Sequence, residues 1–262
     1  ALNGGNLELA RWLIYRLGMP QNYGGLSYPK KNALEILKFE KANNFNMPTD
    51  IINQSANHGD IDVLKWYTST VRDGLPSSDA IAQAAKNGHL DYIKYVYDLK
   101  KNNIKKYLHF DIYPSYTMDA NRVAGKGYTE ILKFFNDMTD DQKRFYSNSN
   151  YRVQNFLPDS NGLKLTVENN HFDTLQYLLL KGITPDYNTV LQDIAADKGN
   201  IQMLDYFKSR GLIPTSEAIN HAIERGDLAT LQWLFNNISV LYVSNDSLNA
   251  AAKKGYLDVL KL

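Results

Sequence analysis

Apolar and polar positions recur along the chain with the period of amphipathic helices, and the same pattern is written many times. The stretch "AAKNGHLDYIKY", which begins at Ala84, has the pattern of a helix end, a glycine turn and the start of a second helix. Nearly the same stretch, "AAKKGYLDVLKL", begins at Ala251. The repetition predicts that a helix pair joined by a tight turn is the structural unit of the chain.

Alignment of the chain to itself on the turn residue identifies nine repeats. The turn residues are Gly5, Asn32, Gly59, Gly88, Gly127, Asn170, Gly199, Gly226 and Gly255. They are 27 to 29 residues apart, except for two longer spacings of 39 and 43 residues. Gly and Asn most easily adopt the left-handed backbone conformation that ends a helix abruptly. Positions within a repeat are numbered below from this turn residue, with positive numbers toward the C-terminus.

Each predicted helix has one apolar face. In the first helix of the repeat at Gly88, that face is formed by Ala80, Ile81, Ala84 and Ala85. Position +7 in the second helix is occupied by Trp12, Phe39, Trp66, Tyr95, Phe134, Tyr177, Tyr206, Trp233 and Leu262. A row of aromatic side chains can bind a stacked ligand. Apolar partners at helical spacing favour the other interpretation, a row buried in the core of stacked repeats.

Short loops containing proline, such as "GLPSSD", separate the helix pairs, and no segment requires a strand. The sequence therefore predicts an all-α solenoid of about nine units over residues 1–262, with little or no β-structure. One repeat, near residues 24–40, is irregular because "GLSYPKKN" stands where its first helix should be. Insertions near residues 98–116 and 137–160 are either surface additions or loops that carry function. The incomplete first repeat and the uncapped last helix predict a segment of a longer protein.

Composition narrows the classes of function. The net charge of +1 provides no overall attraction to nucleic acid or to an anionic membrane. Cysteine is absent, which excludes disulfides and thiolate chemistry. No apolar run approaches the roughly 18 residues of a membrane-spanning helix. We therefore expect an intracellular, cytoplasmic protein with no membrane segment.

The motifs "AAKNGHLDYIKYVY", "AIERGDLATLQWLF" and "AADKGNIQMLDYF" resemble ankyrin repeats, and the resemblance covers nearly the whole chain. A "TPLH" motif is missing, and the period is too short for β-hairpin fingers. The chain is thus most similar to the compact, finger-poor ankyrin-like arrays of amoebae, oomycetes and large DNA viruses. The resemblance implies a non-enzymatic module that binds a protein partner through the concave face of a solenoid, in the cytoplasm or, for a viral protein, in the host cytoplasm or virion. A permanent structural component of a large assembly or virion is the alternative.

The sequence shows no constellation typical of an enzyme. The histidines are His58, His89, His109, His171 and His221, and only His89 and His171 share a repeat position, +1, where a structural role is favoured. No phosphate-binding loop, metal-ligand set or nucleophile motif is present. We therefore expect no catalysis, no cofactor and no metal.

Basic residues at position +6 suggest a second possibility, a stripe that binds nucleic-acid phosphates. These residues are Arg11, Lys38, Lys65, Lys94, Lys133 and Lys261. Each follows an acid by three residues, which favours helical ion pairs on a solvated face. The run "KKNNIKK" from Lys100 to Lys106 lacks such acids and is predicted to be available to an acidic partner.

The predicted partner-binding surface is the face of the first helices opposite to their apolar face. We expect it to expose Asn53, Asn57, His58, Gln83, Lys86, Asn87, Asn121, Arg122, Lys126, Asn220, His221, Glu224 and Arg225, and Ala82 with them. The identity of these residues varies from repeat to repeat, while their apolar neighbours recur. A surface shaped for one partner would show this variation. Drift at unconstrained positions gives the same pattern. The insertions flank the repeat at Gly127, so we expect the centre of the contact at Lys86, Asn87, Asn121, Arg122 and Lys126.

Overall fold

The structure, a computed structural model, describes residues 6–17, 28–29, 31–45, 48, 50–71, 74–107, 109–114, 117–147, 155–186, 190–239 and 242–262. In these ranges the regular elements are helices and no strand is present. The predicted all-α class is therefore confirmed. Within the same ranges, no helix is both long enough and apolar enough to cross a membrane.

The helices follow one another through short connections. They are α1 (Leu7–Leu17), α2 (Ala33–Ala42), α3 (Ile51–His58), α4 (Ile61–Thr70), α5 (Ser78–Lys86), α6 (Leu90–Asn102), α7 (Ile104–Tyr107), α8 (Thr117–Gly125), α9 (Thr129–Asn136), α10 (Asp140–Tyr146), α11 (Ser160–Glu168), α12 (Phe172–Leu180), α13 (Leu191–Asp197), α14 (Ile201–Lys208), α15 (Glu217–Arg225), α16 (Leu228–Asn237), α17 (Asn245–Lys254) and α18 (Leu257–Lys261). The chain divides into two compact units. Unit one comprises Ala1–Tyr116 and Phe134–Asn155, and unit two comprises Thr117–Lys133 and Phe156–Leu262.

Helix pairs pack side by side within each unit. In unit two, the first helices α8, α11, α13, α15 and α17 contact one another in order. The second helices α12, α14, α16 and α18 each pack against their own first helix. In unit one, α3 pairs with α4 and α5 pairs with α6, while α3 also contacts α5 and α2 contacts α4. Each repeat thus buries its apolar face against the next repeat, because a single helix pair cannot bury that face alone.

The turn residues adopt the predicted left-handed conformation. At all eight that lie in the described ranges, φ is between 51° and 83°. Glycine is also required by packing. A Cβ atom on Gly59 would lie 2.6 Å from the His89 ring of the following repeat, and one on Gly127 would lie 2.5 Å from the His171 ring. The histidines at position +1 therefore lie against the preceding turn, and His89 also bonds through Nε2 to the Asn57 carbonyl oxygen, 3.1 Å away.

The apolar face of the first helices is buried as predicted. Ala80 is 5% exposed, and Ile81, Ala84 and Ala85 are completely buried. The row at position +7 was predicted to be core rather than an exposed strip, and among its aromatic members Trp12 departs from this prediction, since it is 53% exposed. Three are buried, Phe39, Tyr177 and Trp233. Four are partly buried, Trp66, Tyr95, Phe134 and Tyr206, and Trp66 packs against the core cluster that contains Leu37 and Val63. Position +7 lies at the edge of the apolar stripe, where one side of the ring meets solvent or a polar side chain.

At four of the junctions, position +6 of one repeat meets position +7 of the next. The guanidinium of Arg11 lies 5.8 Å from the centre of the Phe39 ring, and Lys65 and Lys133 lie 5.3 and 6.0 Å from the Tyr95 and Tyr177 rings. Where position +6 is acidic, a hydrogen bond replaces the cation–π contact, because Trp233 Nε1 donates to the Asp205 carboxylate over 2.7 Å. These four position +6 side chains are therefore part of the junctions between repeats.

The described parts of the two insertions that belong to unit one pack against each other. The Ile112 amide donates to the Tyr146 carbonyl oxygen over 3.0 Å, and the Tyr97 hydroxyl donates to the Ile112 carbonyl oxygen over 3.0 Å. The Tyr97 and Tyr146 rings lie 4.2 Å apart. Lys100 lies inside this cluster and is completely buried. In their described residues, the insertions are thus folded additions to the helix pairs rather than open loops.

In the irregular repeat, the described residues before α2 include Tyr28, which is buried. Its ring stacks on that of His58 with centres 4.9 Å apart, and its hydroxyl donates to Asp60 over 2.5 Å. Burial, together with this bond to a carboxylate, raises the pKa of Tyr28 far above its usual value. Residues 24–27 of the predicted irregularity lie outside the described ranges.

Candidate partner-binding surface

The thirteen residues predicted to bind a partner lie on the first helices or directly after them. Six are in unit one, on or near α3 and α5, and seven are in unit two, on or near α8 and α15. The predicted exposure is wrong at three positions of these helices. Ala82 is 1% exposed, Lys86 is 9% exposed and Asn121 is 5% exposed. Each first helix packs against neighbouring helices, so the flanks of its apolar face are covered as well as the face itself.

In four of the repeats, asparagine or aspartate at position −6 joins the repeat to the next one. The Oδ1 atoms of Asn53, Asn121 and Asn220 accept hydrogen bonds from the backbone amides that precede the following first helices. The donors are Ser77, Asp159 and Ser244, at distances of 2.9, 2.9 and 2.8 Å. Asp193 accepts in the same way from the Thr215 amide, over 2.6 Å. These side chains satisfy amides at a helix start from outside the helix.

In four repeats, position −1 makes the reciprocal contact with the preceding repeat. Asn87 donates to the Asn57 carbonyl oxygen over 2.9 Å, and Arg225 donates to the Ala196 carbonyl oxygen over 2.8 Å. Asn169 and Lys254 donate similarly to the carbonyl oxygens of Gly125 and Glu224, over 3.0 and 2.8 Å. Carbonyl groups in the last turn of a helix lack partners within the helix, and these donors satisfy them.

Six of the thirteen predicted residues therefore serve the junctions between repeats: Asn53, Asn57, Asn87, Asn121, Asn220 and Arg225. The sequence analysis assigned these residues either to a partner-binding surface or to unconstrained drift. It missed their role in joining neighbouring repeats. The recurrence of Asn or Asp at position −6, in the repeats at Gly59, Gly127, Gly199, Gly226 and Gly255, was the signal that could have shown it.

We expect Asn220→Ala to lower the free energy of unfolding by about 1 to 2 kcal/mol. The Ser244 amide and the Ser247 hydroxyl both donate to Asn220 Oδ1, and the substitution removes this acceptor. Asn249→Ala is the matched control, since Asn249 has the same position in the last repeat and is exposed. Urea unfolding followed by circular dichroism measures both. Equal effects of the two substitutions would contradict the junction role of position −6.

A groove on the first-helix side of unit two lies between α11, α13 and α15. The ionisable side chains that line it are Lys164, Glu168, Asp193, Asp197, Glu217 and His221. Lys164 lies 3.7 Å from Glu168, and His221 Nδ1 lies 2.8 Å from Asp197. We call this the first-helix groove. Of the residues predicted from sequence, it contains His221.

The first-helix groove has an acidic character that the sequence analysis did not anticipate. Four carboxylates line it against one lysine. Arg225 lies 3.3 Å from Asp197 and balances part of this charge. Glu217 is exposed in the first turn of α15. The arrangement suits a partner with basic side chains.

The basic residues that the sequence suggested as contacts for an acidic partner or for nucleic-acid phosphates are less available to such a partner than predicted. Lys100, in the run "KKNNIKK", is completely buried, so the prediction that this residue meets an acidic partner is wrong. In the position +6 row, the expected ion pairs form at Glu35–Lys38, Asp62–Lys65 and Glu130–Lys133, over 3.3, 3.6 and 2.7 Å. In addition to these pairs, Lys65 and Lys133 lie over aromatic rings. Their charges are already balanced within the molecule.

No group of three or more histidine or acidic side chains suited to a metal occurs among the residues that the structure describes. The sequence matches no known family model and no curated protein.

Proposed function

We propose that this chain is a non-enzymatic interaction module, built as a single ankyrin-like solenoid, that binds a protein partner through the surface of its first helices. The first-helix groove supports this proposal most directly. Three consecutive first helices present ionic side chains there, and Glu217 and the Lys164–Glu168 pair take no part in the repeat junctions described above. Such side chains can be varied without disturbing the core, which is how repeat proteins acquire binding surfaces.

The charge of the groove indicates the class of partner. An acidic groove attracts a protein segment that carries lysine or arginine and repels a phosphate backbone. Two of the position +6 bases that could contact phosphates, Lys65 and Lys133, are engaged with neighbouring acids and aromatic rings. We therefore favour a protein partner with a basic segment over nucleic acid, and we move the centre of the contact from the Lys86 region to the first-helix groove.

Glu217→Lys is expected to weaken partner binding at least tenfold, about 1.4 kcal/mol. The matched control is Asp173→Lys, because Asp173 is also an exposed acid in the first turn of a helix, but on the second helix α12. Wild type and both variants are used as bait for cross-linking and mass spectrometry. The affinity of each captured protein is then measured by calorimetry at two salt concentrations.

The proposal requires a protein that binds wild type and Asp173→Lys with equal affinity and binds Glu217→Lys more weakly. The affinity of this protein for wild type should decrease as the salt concentration increases. If Asp173→Lys abolishes binding while Glu217→Lys does not, the partner occupies the second-helix face and the proposed surface is wrong. Capture of nucleic acid by the wild-type chain, in place of a protein, would support the alternative class.

A further inference from the structure

Two neighbouring second helices of unit two are followed by the same short motif. The stretch "KGITP" begins at Lys181 after α12, and "RGLIP" begins at Arg210 after α14. Each contains a basic residue, a glycine, an apolar residue and a proline in the same order. The two helices adjoin, because the rings of Phe172 on α12 and Tyr206 on α14 lie 5.3 Å apart, edge to face. We call these two motifs, together with Leu180, the Arg210 edge.

The backbone of both motifs is fixed by the same hydrogen bonds. The Ile183 amide donates to the Leu178 carbonyl oxygen over 3.1 Å, and the Leu212 amide donates to the Phe207 carbonyl oxygen over 3.0 Å. The glycine before each of these amides has a positive φ, 81° in the first motif and 75° in the second. This combination is a Schellman motif, which ends a helix with a defined geometry. The two loops therefore present their side chains from equivalent backbones.

The Arg210 edge exposes large apolar side chains. Leu180 is 85% exposed, and Leu212 and Ile213 are 46% and 47% exposed. Leu75, which also lies directly before a proline at the start of a first helix in unit one, is only 6% exposed. Four helices, α15 to α18, follow the second motif, and α16 packs against α14. The exposure of the edge therefore does not result from the end of the sequence.

Basic residues accompany these apolar side chains. Residues 180–185 and 208–214 contain three basic residues, Lys181, Lys208 and Arg210, and no acidic residue. Lys181 Nζ lies 5.5 Å from the centre of the Tyr177 ring, and Lys208 Nζ donates to the side chain of Asn237. The edge is thus both apolar and positively charged, which is the opposite charge to that of the first-helix groove.

Arg210 is held in position by an aromatic ring. Its guanidinium carbon lies 3.7 Å from the centre of the Tyr206 ring, and its Nη1 donates to Ser209 Oγ over 3.5 Å. The side chain is exposed, and within the described ranges it forms no ion pair with an acid. A guanidinium that rests on a ring can still offer two parallel N–H groups to a carboxylate. Because the ring already orders the side chain, less conformational entropy is lost when a carboxylate binds.

We propose that the Arg210 edge binds an acidic segment of a partner protein, with a carboxylate on Arg210 and apolar side chains against Leu180, Leu212 and Ile213. An anion without apolar groups would leave those three side chains exposed to water. An anionic bilayer laid over both loops would also meet the exposed carboxylates of Asp186 and Glu217, which follow the two motifs. A narrow protein segment can contact the edge without approaching them. This contact goes beyond the function proposed above and does not depend on it, because other residues line the first-helix groove.

Selection from a random peptide library displayed on phage tests this proposal on the 262-residue chain. Phage that also bind Arg210→Glu are removed, and the enriched peptides are synthesised for measurement of affinity by fluorescence anisotropy. We expect peptides that combine Asp or Glu with Leu, Ile or Phe. Leu212→Ser should weaken their binding at least tenfold. Arg210→Lys should bind them more weakly than wild type and more tightly than Arg210→Glu, because lysine keeps the charge without the planar pair of donors.

Matched controls carry the same substitutions elsewhere. Arg144→Glu changes an exposed arginine on α10, and Ile104→Ser changes an apolar side chain on α7 that is 48% exposed. Neither should change the affinity of the selected peptides. Glu217→Lys should not weaken it either, so a failure of this proposal can be distinguished from a failure of the proposed first-helix contact. Circular dichroism checks that each variant keeps its helices, and Leu180→Ser replaces Leu212→Ser if the latter does not fold.

Three results would overturn the proposal. The first is a selection that enriches no peptide able to distinguish wild type from Arg210→Glu, or only peptides that lack acidic residues. The second is an equal loss of affinity in Arg144→Glu and Arg210→Glu, since the attraction would then come from overall charge. The third is binding of wild type, but not of Arg210→Glu, to vesicles of phosphatidylcholine and phosphatidylserine, which would assign the edge to a lipid surface.

Discussion

Replacing Lys100 by alanine is expected to lower the free energy of unfolding of unit one by about 3 to 5 kcal/mol. Lys100 is completely buried, and its Nζ donates to the carbonyl oxygens of Phe110 and Tyr146 over 2.5 and 3.4 Å. Alanine would leave a cavity where the side chain lay and would remove the donor from both carbonyl groups. The two insertions, which meet around this side chain, should then open together.

Two further variants separate packing from hydrogen bonding at this site. Lys100→Met keeps most of the volume and loses the donor, so about 1 to 3 kcal/mol should be lost. Lys101→Ala is the control, because Lys101 is the exposed neighbour on the same helix and should cost under about 0.5 kcal/mol. Hydrogen exchange of the Ile112 amide, which donates to Tyr146, reports the local opening. A loss from Lys100→Ala as small as the loss from Lys101→Ala would refute the structural role of this amine.

The same lysine makes stability depend on pH. Burial lowers the pKa of Lys100 to about 8, and the nearby carboxylate of Asp111 partly opposes this shift. Between about pH 8 and the usual pKa of lysine, the unfolded chain binds more protons than the native chain, so the contribution of Lys100 to stability increases with pH. The neutral amine still has two N–H donors for its two carbonyl partners. The difference in stability between wild type and Lys100→Met should therefore grow from pH 7 to pH 9.

Glu40→Leu is expected to raise the free energy of unfolding by about 2 kcal/mol at pH 8. Glu40 is completely buried on α2, and neither carboxylate oxygen has a hydrogen-bond partner. It occupies position +8, where later repeats have the buried apolar side chains Val96, Phe135, Leu178, Phe207 and Leu234. Leucine at this position would restore the pattern of the other repeats and remove an uncompensated charge.

The pH dependence of this effect has a defined sign. Burial raises the pKa of Glu40 to about 7. Between its usual pKa and 7, the native chain binds more protons than the unfolded chain, so the contribution of Glu40 to stability is lost as pH rises. The advantage of Glu40→Leu should thus be larger at pH 8 than at pH 5. Glu35→Leu is the control, because Glu35 lies exposed on the same helix.

Hydrogen exchange of the α2 amides is the appropriate measurement, since repeat arrays need not unfold in one step. Greater protection in Glu40→Leu at pH 8, with a smaller gain at pH 5, is the expected result. An advantage that is equal at both pH values would show that the carboxylate is not ionised in the buried site over this range. A loss of protection at both values would show that Glu40 has a partner that leucine cannot replace.

The sequence by itself determined the helix pairs and their turns. Left-handed geometry at Gly and Asn is a property of the residue and its immediate neighbours, so all eight described turns agree with the expectation. The buried face of α5 followed from helical periodicity alone, because that pattern depends only on spacing along one helix. These features could be predicted because they depend on short-range interactions.

Only the tertiary structure decided which polar side chains at the edges of those faces are covered. Asn121 and Asn220 belong to the same face of a first helix as His221 and Glu224, but the amide of a following repeat determines that the asparagines act as caps. Lys100 belongs to a basic run in the sequence, yet carbonyl groups 10 and 46 residues away enclose it. Such contacts depend on the distance between elements remote in the chain, which no local pattern encodes. For that reason the fold class could be predicted from the sequence and the composition of the first-helix groove could not.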